Sequence, residues 1–201
     1  MVHKDIDTGH TPGGDTIMAT ITRNPTTTAV ATGTATHVTA ASAARYVFAG
    51  VRIALGTVFL WAFFDKLLGL GHATAAKAAW INGGHPTNGF LKNAPTGPFQ
   101  GFYNNLAGST VIDWLFMLAL LGFGVALILG IGMRIAAGAA TVLLVMMWAA
   151  VLPPENHIFM DDHLIYAGTI VGLALIGAGT TLGLGKWWNQ TALVKKAPWL
   201  K

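Results

Sequence analysis

Asp161, Asp162 and His163 stand directly against an apolar run, Leu164 to Leu184. An imidazole beside carboxylates can take up and pass on protons near neutral pH, because the neighbouring negative charge favours its protonated form. The same residues suit a plainer role. Asp in the first turn of a helix caps it and complements its dipole. Capping accounts for one Asp well and for a pair plus His less well, so both roles are expected together. Asp65-Lys66, at the far end of an earlier apolar run, reads either as a weak rim ion pair or as part of the same site. Asp65, Lys66, Asp161, Asp162 and His163 are the candidate catalytic residues.

Arg52 lies inside that earlier run. Its guanidinium either snorkels to the nearer headgroups or serves as an internal ligand for an anion or a quinone carbonyl. Trp61 and Trp80, with Trp148 and Phe63, could line an apolar quinone slot, although aromatic side chains in membrane spans more often simply pack. Trp80 and Asn82 belong to a long loop carrying Trp80-Ile-Asn-Gly-Gly-His-Pro86. Arg52, Trp61, Trp80 and Asn82 are the candidate quinone-binding residues. No metal is expected: the histidines lack the i, i+4 spacing of a helical ligand pair, and His157 and His163 are split by a helix start. No His lies inside an apolar run, so no membrane haem is expected.

The elements that must position these groups follow from composition. The 201 residues are 53% hydrophobic and 10% charged, against about 25% charged in a soluble domain. Mean hydropathy is +0.56, as for a chain partly solvated by lipid. Cysteine is absent, which excludes disulfides, thiolate metal sites and thiol redox relays. The net charge of +4 is carried by basic residues flanking apolar runs, without the basic–aromatic interleaving of a nucleic-acid surface.

Four runs are long enough to span a bilayer, at about 46–68, 114–133, 135–152 and 164–184. The chain is therefore expected to be all-α, a four-helix transmembrane bundle at 45–188. Residues 1–44, rich in Thr, Ala and Gly, read as a disordered cytoplasmic tail with no apolar segment typical of a signal peptide. Residues 189–201 read as a basic cytoplasmic tail. The second and third spans should form a hairpin through Gly132-Met-Arg134. Gly124, Gly130, Gly138 and Gly168-x-x-x-Gly172 would allow close helix approach. Arg45, Arg134, Lys186, Lys195, Lys196 and Lys201 fall on one side, and Lys66, Lys77 and Lys92 with most acids on the other. The positive-inside rule then gives N-in/C-in topology, with the 69–112 and 153–163 loops sharing the outer face over one composite pocket.

The run Arg52-Ile-Ala-Leu-Gly-Thr-Val-Phe-Leu-Trp-Ala-Phe-Phe-Asp-Lys66 resembles the first span of the DoxX family, where an Arg and a Lys bracket a Gly-containing helix. Leu127-Ile-Leu-Gly-Ile-Gly-Met-Arg134 is similar to the family's second-span ending. Gly83-Gly-His-Pro-Thr87, Gly89-Phe-Leu91 and Asn156-His-Ile-Phe-Met-Asp-Asp-His163 resemble the DoxD-like branch. The likeness covers most of residues 45–201 and departs at Phe63, where the family often has Gly. It implies the membrane subunit of a thiosulfate:quinone oxidoreductase in the cytoplasmic membrane of a bacterium, with a second redox subunit or a homo-oligomer as partner. The rival expectation is a non-catalytic scaffold or assembly subunit of a redox complex.

Overall fold

The first helix starts well before the first apolar run. In the computed structural model, which describes residues 26–201 and side chains from Thr39, α1 spans Thr26–Leu68. The expected tail is thus helical from Thr26. The reason is local: Pro25 precedes the helix, no Pro interrupts it, and alanine, the best helix former, recurs between Ala29 and Ala44. The rest of the expected tail lies outside the described residues. After α1 come α2 (Asn88–Asn93), α3 (Gln100–Leu106), α4 (Thr110–Leu129), α5 (Met133–Ala150), α6 (Asp162–Leu175), α7 (Gly185–Gln190) and α8 (Ala192–Lys196), with five short 3₁₀ turns and no strand among the described residues.

Three helices, α1, α4 and α5, are long and apolar enough to cross a membrane. Their outward faces are apolar as well: Val58, Trp61, Val111, Leu115, Leu118 and Val142 are all exposed. A helix that is apolar all round has no use for water on its outer face.

Residues 40–201 form one compact unit. Its core takes Leu55 and Phe59 from α1, Met117, Leu120, Phe123 and Leu127 from α4, Ala137, Ala140 and Leu144 from α5, and Ala167, Ile170 and Leu173 from α6. α1 runs antiparallel to α4: Gly56 faces Ile128, and Gly124 faces Leu60. A Cβ on Gly124 would lie 2.5 Å from Leu60 Cγ, so Gly124 is what permits this approach. Phe59 meets Phe123 edge to face at 5.7 Å. Gly138, Gly168 and Gly172 have open space where a Cβ would stand, so they bring no helices together within this chain.

The fourth apolar run is not one continuous helix. α6 is 14 residues long, about 21 Å at 1.5 Å per residue, against about 30 Å of hydrocarbon. It ends because Gly177 is left-handed, a 3₁₀ turn follows at Ala178–Thr180, and Leu182 has φ of 50°. Gly177, Gly179, Gly183 and Gly185 make this stretch a poor helix. Such backbone is tolerated at membrane depth only if its polar groups find partners. Leu184 N–H donates to Leu129 O at 2.7 Å, tying the stretch to the end of α4.

The segment between α1 and α4 folds over the bundle end, as its length and aromatics suggest. Leu91 and Tyr103 are buried with Ala150. Tyr103 donates its hydroxyl to Met146 O at 2.7 Å, and Thr96 N–H donates to Ala150 O at 2.9 Å. The C-terminal stretch, expected as a tail, folds back: Val194 is buried, and Arg134 N–H donates to Lys201 O at 2.7 Å.

Candidate functional site

An apolar cavity of about 630 Å³ lies between α4, α5 and the folded segment above them. Phe90 and Leu91 of α2, Tyr103 and Leu106 of α3, Phe116 and Phe123 of α4, and Leu143 and Met146 of α5 line it. Among this lining stands one charged group, Lys66, from the last turn of α1. Among the described residues Lys66 has no hydrogen bond and no ion pair. Its sequence neighbour Asp65 is engaged elsewhere. The Asp65 carboxylate is 2% exposed and accepts from His72 N–H at 3.2 Å and Ala73 N–H at 3.1 Å. Asp65 therefore ties the loop after α1 to the helix; its charge and that of Lys66 still favour each other, but no direct ion pair joins them among the described residues.

The cavity wall carries a second polar feature. Asp113, in the first turn of α4 and 1% exposed, accepts from Thr87 N–H at 3.1 Å and Thr87 Oγ1 at 2.6 Å. Its other oxygen is 2.7 Å from His85 Nδ1. Thr87 lines the cavity. The His85 side chain is 43% exposed, so this pair links a buried carboxylate to the outside. Nδ1 is held by the carboxylate, and Nε2 has no hydrogen-bond partner among the described residues. The remaining polar groups of the wall are used up: Tyr103 donates to Met146 O, and burial pushes its hydroxyl above the usual tyrosine range.

The expected rim cluster is split. Asp161 Oδ2 is 2.5 Å from His163 Nδ1, and Asp161 Oδ1 accepts from Leu164 N–H at 3.3 Å. Asp161 is thus the N-cap of α6, while Asp162 is exposed. Both acids line a separate cavity of about 590 Å³ with Glu155, Asn156 and His157, whereas Lys66 lines the apolar one. The structure does not bring Asp65 and Lys66 together with Asp161, Asp162 and His163. That separate cavity is lined by both loops, with Asn93, Ala94 and Thr96 from the first and residues between Pro153 and Asp162 from the second, but Lys66 lies in the other cavity.

The expected quinone residues also disperse. Trp61 is exposed and stacks edge-on with His72. Trp80 stacks on Trp114 at 4.6 Å, and Asn82 Nδ2 donates to Ala76 O at 2.9 Å. None of the three lines the apolar cavity. Arg52 is fully buried, and every partner it has is a backbone carbonyl. Its Nη1 donates to Leu127 O and, at 2.9 Å, to Ile128 O. Its Nη2 donates to Leu182 O at 2.9 Å and Thr181 O at 3.2 Å. The last carbonyls of a helix lack intrahelical donors and carry the negative end of its dipole. Arg52 satisfies two of them at the end of α4 and two more in the broken stretch after α6.

His85, Thr87 and Asp113 were not expected to meet. The available signal was Asp113 at the very start of an apolar run, which marks a span boundary equally well. Comparison of the chain with protein-family models, with curated proteins and with solved structures returns no match.

Proposed function

We propose that this is an integral protein of a bacterial cytoplasmic membrane that binds a quinone in the Lys66 cavity and serves as the membrane subunit of a quinone-linked oxidoreductase. The observation that carries this reading is the cavity itself. An apolar space of about 630 Å³ with one ammonium in its wall suits a ligand that is greasy along its length and oxygen-bearing at one end. In the membrane, α1, α4, α5 and the broken segment beginning with α6 act as four apolar segments, with both ends of the compact unit cytoplasmic and His85 on the outer side.

Quinone reduction takes up two electrons and two protons. Lys66 holds and polarises a carbonyl oxygen. His85 takes up protons at the outer surface, and the Asp113 carboxylate, bonded to both His85 and Thr87, relays them toward the cavity wall. The resemblance to the DoxX family supports thiosulfate as the reductant: two thiosulfate ions joined as tetrathionate release the two electrons. The electrons then arrive directly or through a second redox subunit.

The test is purification in mild detergent, followed by solvent extraction and chromatography of bound quinone. Wild-type protein should carry quinone, and Lys66→Met should lose it while keeping its helical content. Wild-type protein free of quinone, with no thiosulfate-dependent quinone reduction in membranes, would favour the scaffold reading.

A further inference from the structure

At the end of α4 opposite Asp113, backbone meets backbone. Gly130, just after α4, and Gly179, in the broken stretch, touch: a Cβ on Gly179 would lie 2.4 Å from Gly130 O, and one on Gly130 would lie 2.6 Å from Gly179 O. A Cβ on Gly185 would meet the same backbone at 2.6 Å. These glycines floor a cavity of about 200 Å³ whose polar wall is Arg134, Thr180, Asn189 and Lys201. Arg52 lies directly beneath. Its Nη1 is 3.1 Å from where a Gly130 Cβ would stand, and its buried Nε has no partner.

The side-chain charge around this cavity is one-sided, and the main-chain oxygen of Lys201 is taken by Arg134 N–H. Residues 114–154 and 164–201 contain no Asp or Glu, and the segment from Lys186 onward adds Lys195 and Lys196. Arg52 is neutralised by no carboxylate among the described residues, only by carbonyl dipoles. Two cationic residues, Arg134 and Lys201, therefore line one small cavity, and the Arg52 guanidinium lies against its glycine floor. A planar guanidinium and an ammonium flanking exposed backbone are suited to phosphate oxygens.

We propose that this cavity is a binding site for a phosphate group. It is independent of the quinone reading, since it shares no lining residue with the Lys66 cavity. Two sources carry that chemistry, the headgroup of an anionic phospholipid and free phosphate. The cavity opens beside Trp188, next to Trp187 and Lys186, a grouping that favours the headgroup depth of a bilayer.

The experiment measures binding to the purified, detergent-solubilised full chain by native mass spectrometry. The probes are phosphatidylglycerol, phosphatidylcholine and inorganic phosphate. Arg134→Gln/Lys201→Gln is compared with Lys186→Gln/Lys196→Gln, which removes the same charge outside the cavity. The cavity variant should bind phosphatidylglycerol about thirtyfold more weakly, since each basic residue near a lipid surface contributes about 1 kcal/mol. The control variant should bind within a few fold of wild type. Binding of inorganic phosphate alone, lost in the same variant, keeps the site and assigns it to free phosphate. Equal loss in both variants, or no phosphate-dependent binding from either source, overturns the proposal. A thermal melt of each variant separates lost binding from lost fold. If the cavity variant does not fold, the single Lys201→Gln chain decides by the same comparison.

Discussion

Arg52→Leu would leave four carbonyls, those of Leu127, Ile128, Thr181 and Leu182, without the donors they now have. Each net hydrogen bond of this kind is worth about 1 kcal/mol, so the four together predict a loss of about 4 kcal/mol. For a chain of this size that corresponds to a fall in melting temperature of roughly 10 °C. The damage should also be localised. Arg52 clamps the broken stretch to the end of α4, so the Leu184 N–H, bonded to Leu129 O, should exchange with solvent far faster in the variant. Arg52→Lys should recover only part of the loss, because an ammonium cannot reproduce the forked geometry that spans two elements. The assay is thermal unfolding in detergent with hydrogen exchange read by mass spectrometry over residues 176–190. A melting temperature within about 2 °C of wild type and unchanged exchange at Leu184 would refute the clamp. Lower quinone occupancy in such an unperturbed variant would return Arg52 to the ligand role first considered for it.

Two further outcomes follow from the packing. Gly179→Ala should destabilise by about 1–3 kcal/mol, the usual cost of overpacking, because the new Cβ meets the Gly130 backbone and neither side can yield; Gly168→Ala, with nothing within 4 Å, should show no such loss in the same melt. Tyr103 carries a pH signature, since its hydroxyl donates to Met146 O and burial raises its pKa above the unfolded value near 10. Its contribution is fully present below about pH 10 and is lost as pH rises from there through the higher folded value. Tyr103→Phe should therefore be less stable than wild type at neutral pH and show a smaller decline above about pH 10 in a pH series of melts.

Much of the fold was legible in the chain order of residues. Long apolar runs report helices, because a helix satisfies its own backbone and only its side chains need a compatible solvent. The hairpin between the second and third runs was readable from Gly132-Met-Arg134, although the turn itself is Gly130–Gly132, and the folding-back of the 69–109 segment was readable from its aromatics. Asp161 as the cap of α6 was readable from one residue type at one position. Hydropathy did not show that the fourth run breaks at Gly177. Averaging over Leu, Ile and Ala conceals four glycines in a stretch whose Thr181, Leu182 and Leu184 backbone groups are held by partners remote in sequence, Arg52 and Leu129. The candidate site was decided by tertiary structure for the same reason. Asp65 and Lys66 are adjacent in sequence yet lie on different sides of a helix turn, so one is sealed by loop N–H groups and the other lines an apolar cavity. His85, Thr87 and Asp113 meet across 26 or more residues, because the folded segment after α1 returns to the first turn of α4. Residue types and local periodicity specify helices and caps. Which polar group faces which cavity depends on contacts between elements far apart in the chain.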